Sequence, residues 1–301
     1  MTGDTLGIGE LARRTGVPVR TIRFYCDEGV LEPVRSAGGH RRFDGAAIDR
    51  LTLVRRLRGL GLGLRPITDV LAGRCSLDDA VAAERTALDR ELATLNWRRS
   101  VLRAVSEVAP GDRAARLELL SAVQDGYAAH ETLVRLWRPM TTGPIPPDTA
   151  RMFLDISAPE PPAQPTTAQV VAYASLVLLA ADARLALDLK ASTLAGHERI
   201  ADLGTLHTEV GEACSLASVQ VAAGARPAPG PELDRFVAAH ASALGAADSP
   251  AFRRALNHRT APDRNPRLRR YWHLTGEVTG ATAPMGVAHT WLLDALDTSV
   301  A

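Results

Sequence analysis

The sequence predicts a mainly α-helical protein with one small β-hairpin near its start. Three observations predict this fold class. Segments rich in Ala and Leu alternate with short breaks of Gly and Pro, whereas strand signals are rare. Four apolar residues recur at seven-residue steps between positions 81 and 102, which is typical of a coiled-coil helix. The one hairpin signal is the turn sequence 36–39, which separates the short potential strands 31–35 and 40–43.

The first two predicted helices form a helix-turn-helix. Residues 9–14 read as a short helix that ends at Thr15-Gly16, and Pro18 opens a second helix that Gly29 stops in the left-handed conformation. At about 100° per residue, one face of the second helix is apolar and the other carries Arg20, Thr21 and Phe24, with Arg23 at the flank. Arginine, threonine and aromatic side chains suit a DNA major groove.

The segment that follows completes a winged architecture. The hairpin carries Arg35, Arg41 and Arg42, which can lie against phosphates. Asp44 caps a third predicted helix with the apolar set Ile48, Leu51, Leu53, Val54 and Leu57. A glycine-rich loop over 59–63 comes next, and Pro66 opens a fourth helix that runs through Leu71.

These residues resemble the MerR family of bacterial transcription regulators over roughly 6–73. Four motifs carry the resemblance: Gly9–Ala12, Thr21–Tyr25, Gly39–Asp44 and Arg56–Gly61. The chain departs from the family pattern at three positions. Phe24-Tyr25 stands where the family usually has a tyrosine pair, Cys26 replaces a frequent acidic residue, and His40 replaces the usual wing tyrosine.

The resemblance implies a homodimer that binds a pseudo-palindrome in double-stranded promoter DNA. An effector would then shift the promoter between two geometries and bring its elements into register for RNA polymerase. The resemblance implies three sets of DNA-binding residues. Arg20, Thr21, Arg23, Phe24 and Tyr25 would face the groove, Arg35, His40, Arg41 and Arg42 would hold the backbone through the wing, and Arg58 would do so through the second loop.

The charge distribution fits a DNA-binding head. Residues 1–74 hold 13 Arg and 8 acidic residues, whereas the remainder holds 22 basic and 26 acidic residues. A basic head on a mildly acidic body is expected when only the head contacts DNA.

Residues 76–108 are predicted to form one long helix, which Ser76 caps. Its heptad positions are Val81, Leu88, Leu95 and Leu102. They predict a dimerisation seam, and the alternative is a helix that packs within its own domain. We therefore divide the chain into a DNA-binding domain (1–74), a dimerisation helix (75–109) and an effector-binding domain (110–301).

The C-terminal domain is predicted to be all-α. The helical segments are 112–141, 166–193, 197–223, 231–244, 249–258, 266–279 and 284–297. The apolar stretch 170–181 contains Tyr173 and Ser175 and ends before Asp182, so it is expected to be a buried core helix rather than a membrane span. With no signal peptide before Ile8, we expect a soluble cytoplasmic protein.

The chemistry of the C-terminal domain favours binding over catalysis. The sequence holds no HExxH, GxSxG, P-loop or GxGxxG motif, which indicates that the protein is not an enzyme. Cys26, Cys75 and Cys214 are scattered, so neither a metal site nor a disulfide framework is predicted, and no cofactor is expected.

Aromatic and acidic residues fall together on two C-terminal helices. They suit a flat or cationic organic effector, although core packing is the favoured explanation for each aromatic residue taken singly. The candidates are Tyr127, Glu131, Trp137, Tyr271, Trp272 and Glu277. The alternative is a helical domain that binds a protein partner rather than a small ligand.

Overall fold

A computed structural model describes residues 5–35, 39–124, 126–142, 145–197 and 202–300, apart from the side chains of residues 127 and 191–197. The fold is mainly helical with one small antiparallel sheet, as the sequence predicts. The chain forms two compact units, Met1–Glu91 and Leu92–Ala301.

The N-terminal unit begins with the predicted helix-turn-helix. Its helices are α1 (Ile8–Thr15), α2 (Val19–Asp27), α3 (Ala46–Gly59) and α4 (Leu64–Leu71). Gly16 and Gly29 adopt φ values of 69° and 73°, the left-handed conformation that ends a helix and that only glycine adopts without strain.

The sheet has three short strands. They are β1 (Leu6–Gly7), β2 (Val34–Arg35) and β3 (Arg41–Phe43), in the spatial order β1-β3-β2. The hairpin of β2 and β3 is confirmed, whereas β1 escaped the sequence analysis because two residues are too few to show an alternating pattern. Leu31, which the sequence placed in the first strand of the hairpin, instead packs into the core and is 2% exposed.

Two apolar clusters hold the N-terminal unit together. Leu11, Ile22, Phe43 and Leu51 centre the first cluster, and α2 contributes Ile22 with no exposed surface. The second cluster joins α3, α4 and the start of the next helix: Val30, Val54, Leu57, Leu62, Ile67 and Ala80. Burial of a side chain of this size contributes about 1.5–3 kcal/mol, so Ile22 fixes α2 on the unit while its other faces stay in solvent.

The long helix α5 spans Leu77–Ser106, close to the predicted 76–108. Ser76 caps it, because its Oγ accepts a 3.0 Å hydrogen bond from the Asp79 amide. The boundary between the two compact units falls inside this helix, between Glu91 and Leu92.

The C-terminal unit is all-α in its described residues, as predicted. Its helices after α5 are α6 (Arg113–Ser121), α7 (Gly126–Trp137), α8 (Pro147–Ser157), α9 (Thr167–Ala180), α10 (Ala183–His197), α11 (Leu203–Ala222), α12 (Pro231–Ala243), α13 (Pro250–Arg259), α14 (Pro266–Thr279) and α15 (Met285–Val300).

The helices of this unit differ from the sequence prediction in three places. The predicted helix 112–141 is divided into α6 and α7, and the predicted helix 166–193 is divided into α9 and α10. Asp182 causes the second division, since its carboxylate accepts a 2.9 Å hydrogen bond from the Arg184 amide and starts a new helix. Helix α8 lies where the sequence predicts no helix, and Pro147 occupies its first turn, where proline is tolerated.

The core of the C-terminal unit surrounds α9. Tyr173 and Leu176 of this helix have no exposed surface, which confirms the predicted burial of 170–181. A second cluster lies between α11, α12 and α15. Among the described helices none is both long and apolar enough to cross a membrane by itself; the segments Thr167–Ala180 and Ala183–Lys190 reach that threshold only as a pair, bent by 63°.

Candidate DNA-binding surface and ligand cavity

Helix α2 presents a cationic and aromatic surface. Arg20, Arg23 and Phe24 are exposed, and half of the Phe24 surface is open to solvent. Thr21 is half-buried beside them. An exposed phenylalanine contributes little burial energy to the stability of the fold. With arginines beside it, this face therefore suits a partner that carries both charge and apolar groups.

Tyr25 has a different position from the other α2 candidates. It is half-buried and packs against both apolar clusters of the N-terminal unit. Its backbone carbonyl accepts hydrogen bonds from the Val30 and Leu31 amides, at 2.8 and 3.2 Å. The geometry therefore gives Tyr25 a structural role in the turn after α2, with its ring 6.0 Å from that of Phe24.

The wing arginines lie on two faces of the hairpin. Arg35 and Arg41 are paired across β2 and β3 and so share one face, and Arg35 is exposed. Arg41 Nη2 lies 2.9 Å from Asp27 Oδ1 at the end of α2, which ties the wing to that helix. Arg42 donates to the hydroxyl and the carbonyl oxygen of Thr5, the residue that precedes β1. His40 is exposed, and residues 36–38 of the turn lie outside the described residues.

Two arginines of α3 donate hydrogen bonds to backbone carbonyls of the N-terminal unit. Arg58, a predicted phosphate ligand, is exposed but donates a 2.8 Å hydrogen bond to the Leu62 carbonyl. Arg55, which was not among the predicted site residues, donates a 2.6 Å hydrogen bond to the Thr15 carbonyl at the end of α1. No sequence signal distinguishes Arg55 from its charged neighbours, because the acceptor is 40 residues away.

The heptad positions of α5 form an exposed apolar face. Val81, Leu88, Leu95 and Leu102 expose between 42% and 63% of their surfaces. From Leu92 onward the opposite face of the helix is buried in the C-terminal unit, where Trp97 Nε1 donates to the Val123 carbonyl at 3.1 Å and Ser100 Oγ to the Pro165 carbonyl at 2.7 Å. The helix thus has one face inside its own unit and one face open.

A cavity of about 300 Å³ lies within the C-terminal unit. Its walls come from α7, α8 and α10 to α15, and most of the lining is apolar or aromatic. Trp137, Phe153 and Trp272 supply aromatic rings, and Met140, Met152 and Met285 supply flexible thioethers. The Trp137 and Trp272 rings touch each other, with centroids 4.9 Å apart. Such a lining fits an organic molecule.

Titratable side chains also line the cavity. Among them are His207, His240, His289, Arg259 and Asp263. The His240 ring lies against Phe236, at 4.5 Å between centroids, and its Nδ1 is buried with no hydrogen-bond partner among the described residues. Burial lowers the pKa of His240 to about 3, and the nearby Arg259 acts in the same direction. Burial also lowers the pKa of His289, which the Asp263 carboxylate partly opposes.

The predicted ligand residues divide into three groups. Trp137 and Trp272 line the cavity. Tyr271 lies in the core beside Trp137, where its hydroxyl donates a 2.6 Å hydrogen bond to the Ser157 carbonyl. Glu131 and Glu277 are not lining residues, and the exposed Glu277 lies 3.3 Å from Arg270. The Tyr127 side chain lies outside the described residues.

Sequence analysis missed the histidines and Arg259 because they come from four helices that are distant in sequence. Cys214 also lines the cavity, and burial raises the pKa of its thiol to about 12, which keeps it protonated at neutral pH. Among the described residues no group of three or more His, Cys, Asp or Glu side chains is arranged to hold a metal ion.

Residues 6–74 match the family described as "MerR HTH family regulatory protein". The HTH-type transcriptional regulator HmrR of Rhizobium leguminosarum bv. viciae is 30% identical over 128 residues, which cover 40% of this chain and 99% of that protein. The HTH-type transcriptional regulator CueR of Yersinia pestis is 30% identical over 126 residues, which cover 39% of this chain and 91% of that protein.

A third relative is matched over only part of its length. The nodulation protein NolA of Bradyrhizobium sp. strain NC92 is 35% identical over 125 residues, so the match spans 41% of this chain and about half, 52%, of that protein. These three matches therefore leave more than half of this chain uncovered.

Proposed function

Because the chain belongs to the MerR family of helix-turn-helix regulatory proteins, and is thus a DNA-binding transcription regulator rather than an enzyme, we propose that it binds a palindromic promoter element as a homodimer and responds to a small organic effector. We assign DNA binding to 1–74, dimerisation to 75–109 and effector binding to 110–301. We infer that it acts in the cytoplasm, where promoter DNA and RNA polymerase are located.

The observation that carries the proposal is the exposed face of α2 beside the wing. Arg20, Arg23 and Phe24 project from a helix that Ile22 anchors, and Arg35 and Arg41 share the adjoining face of the hairpin. A helix in the major groove with a wing on the flanking phosphates uses these residue types in these places. Arg42 and Arg58 would act mainly by holding the unit in shape, since both already donate to backbone carbonyls.

The exposed heptad face of α5 supports the dimer. A leucine seam left in water costs free energy that pairing with a second copy recovers, at about 25 cal/mol for each Å² of apolar surface removed from water. Two copies joined in this way present two α2 helices, and a palindrome offers two matching half-sites.

The effector acts by differential affinity. A ligand that binds one protein–DNA state more tightly than the other shifts the population between them, and the energy of DNA distortion sets how far the promoter moves. The cavity of the C-terminal unit supplies a site of suitable size and lining for such a ligand.

Selection of bound sequences from random DNA with the full-length protein tests the DNA-binding proposal. We expect an inverted repeat that binds one dimer, and a promoter with this repeat should respond to the effector in transcription with purified RNA polymerase. Recovery of a single half-site bound by a monomer would contradict the proposal.

Thermal unfolding of the full chain, followed by tryptophan fluorescence, tests the effector proposal. All four tryptophans lie in the C-terminal unit, at 97, 137, 272 and 291, so the signal reports on the unit with the cavity. A ligand that binds only the folded state raises the unfolding temperature. If no class of organic compound does so, the alternative of a protein partner for the C-terminal unit gains support.

A further inference from the structure

We propose that the effector is an uncharged aromatic molecule with one hydrogen-bonding group, which the cavity binds through its aromatic wall and Nδ1 of His240. This inference rests on the proposed ligand-sensing function and narrows it to a chemical class. Three features of the cavity carry it: its apolar wall, its balanced charge and the unpartnered buried Nδ1 of His240, a lining residue, which together with Nε1 of Trp137 has no hydrogen-bond partner among the described residues.

The apolar wall selects an aromatic ligand. Trp137, Phe153 and Trp272 meet at this wall, and edge and face contacts with a ligand ring add to the energy of burial. Met140 and Met152 lie beside them, and thioether side chains adapt to ring edges of different shape. A volume of about 300 Å³ holds a ligand of two or three fused rings.

The balance of charge selects an uncharged ligand. Among the described lining residues the only carboxylate is Asp263 and the only guanidinium is that of Arg259. Burial keeps His240 and His289 neutral at physiological pH. A ligand with a net charge would bring that charge into an apolar site with no surplus of the opposite sign, and burial of an uncompensated charge costs far more than burial of a neutral polar group.

The acidic residues that would favour a cation lie elsewhere. Sequence analysis grouped Glu131 and Glu277 with the aromatic residues, but neither lines the cavity. The expectation of a cationic effector therefore loses its electrostatic basis, whereas the expectation of a flat aromatic effector retains Trp137 and Trp272.

The buried Nδ1 of His240 selects a hydrogen-bonding group. His240 lines the cavity, and its buried Nδ1 has no partner among the described residues, although a buried polar atom left unsatisfied costs about 1–3 kcal/mol. A hydroxyl or amide of the ligand that reaches this atom removes the cost. Aromatic ligands without such a group gain only the apolar part of the binding energy.

A matched series of naphthalenes tests the proposal, with calorimetric titration of the full-length protein. The ring stays constant while the substituent changes: 2-naphthol is uncharged with a hydroxyl, 2-methylnaphthalene is uncharged without one, 2-naphthoate is an anion and 2-naphthylmethylammonium is a cation. We expect 2-naphthol to bind at least tenfold more tightly than either ion. Tighter binding of either ion than of 2-naphthol, or binding of none of the four compounds, would overturn the proposal.

Two pairs of variants locate the binding. Gly211 lines the cavity, and a Cβ added there meets nothing within 4 Å, so Gly211→Phe fills open space while Gly211→Ala is its matched control. We expect Gly211→Phe to weaken 2-naphthol binding at least tenfold, and Gly211→Ala, which adds only one methyl group to the lining, to have a much smaller effect. Equal 2-naphthol affinity for Gly211→Phe and the wild type would place the ligand outside this cavity.

The His240 pair isolates the hydrogen bond. His240→Asn keeps a polar atom near the position of Nδ1, whereas His240→Leu removes it. We expect His240→Leu to weaken 2-naphthol about five- to tenfold without affecting 2-methylnaphthalene, and His240→Asn to retain most of the 2-naphthol affinity. An equal effect of His240→Leu on both compounds would exclude a bond to Nδ1.

Operator binding, measured on the same variants without naphthalenes, distinguishes a failure of the proposed regulatory function from a failure of the proposed ligand class. Loss of operator binding with the naphthalene preference intact would refute the regulatory function alone. Intact operator binding with a preference for an ion would refute the ligand class alone.

Discussion

The two units of this protein present their candidate site residues in opposite ways. The N-terminal unit exposes side chains that are close in sequence, on α2 and on the hairpin that follows it. The C-terminal unit encloses a cavity whose lining comes from helices spread over more than 150 residues, from Trp137 to His289. A surface can be specified by one short segment, whereas a cavity depends on how many distant segments pack.

The largest effect is expected from a substitution in α5, the helix that belongs to both units. Leu95→Glu places a charge in the proposed α5 seam, where burial of an unpaired carboxylate opposes pairing. We expect monomers in light scattering and operator affinity at least 100-fold weaker, since one half-site contributes far less binding energy than two.

Leu216→Glu is the matched control for that seam. Leu216 lies on α11 and is 50% exposed, against 54% for Leu95, but it is outside the heptad. This variant should remain dimeric with normal operator affinity. If Leu95→Glu were also dimeric, the exposed face of α5 would not be the dimer interface.

The second prediction separates the stability of the cavity from that of the DNA-binding surface. A Cβ at Gly286 would lie 1.9 Å from the Trp272 ring, so Gly286→Ala cannot be accommodated without moving a cavity wall. We expect a loss of about 3 kcal/mol in the free energy of unfolding, measured by denaturant titration of tryptophan fluorescence.

Gly211→Ala offers the opposite change in the same unit. Gly211 also lies in a helix, but nothing lies within 4 Å of an added Cβ, so the variant should gain about 0.5–1 kcal/mol from the better helix propensity of alanine. Equal stability of the two variants would mean that Trp272 is not packed on Gly286.

The third prediction concerns the stability of the C-terminal unit at low pH, and it tests the contrast between buried and exposed titratable groups. The folded-state pKa of His240, about 3, lies below its ordinary value of 6.5. The contribution of neutral His240 to the free energy of unfolding is therefore fully present above pH 6.5 and is lost as the pH falls toward 3. We expect His240 alone to cost the C-terminal unit about 2 kcal/mol between pH 7 and pH 5.

His240→Asn removes the titratable ring and should flatten this pH dependence, as measured by denaturant titration at several pH values. The contribution of His289 acts in the same direction and remains in the variant. An unchanged pH dependence in His240→Asn would show that His240 is not buried as described.

The smallest expected effect lies on the DNA-binding surface. Arg41→Ala should weaken binding to all DNA sequences severalfold and reduce the slope of log affinity against log salt by about one, because one phosphate contact is lost. Filter binding over a range of salt concentrations measures it. Since Arg41 also pairs with Asp27, Asp27→Ala is the control that removes the ion pair but keeps the cation. Equal slopes for Arg41→Ala and the wild type would exclude Arg41 from the phosphate contacts.

Local signals account for what the sequence predicted well. The caps of Gly16, Gly29 and Ser76 and the heptads of α5 act within a few residues, so periodicity and end signals locate those helices. The sequence did not predict the break at Asp182. The apolar pattern continues across this residue, and only the capping hydrogen bond from the Arg184 amide reveals the new helix.

The cavity could be predicted only in part. Trp137 and Trp272 were selected because aromatic residues are scarce, but the same argument selected Tyr271, whose hydroxyl is occupied by Ser157 in the core. His240 and Arg259 gave no signal, because a histidine on an amphipathic helix looks the same whether it faces solvent or a cavity.

The internal arginine bonds bear on how DNA preference can change in such a protein. Arg42, Arg55 and Arg58 hold strand β1, the end of α1 and the loop after α3 through backbone oxygens, which are present whatever side chains α2 carries. Under the proposed function, the outward residues Arg20, Thr21, Arg23 and Phe24 can be exchanged for those of a relative while this frame and the buried Ile22 stay unchanged. New operators would then evolve by drift on α2 alone, and the arginine frame would be the part that lineages share.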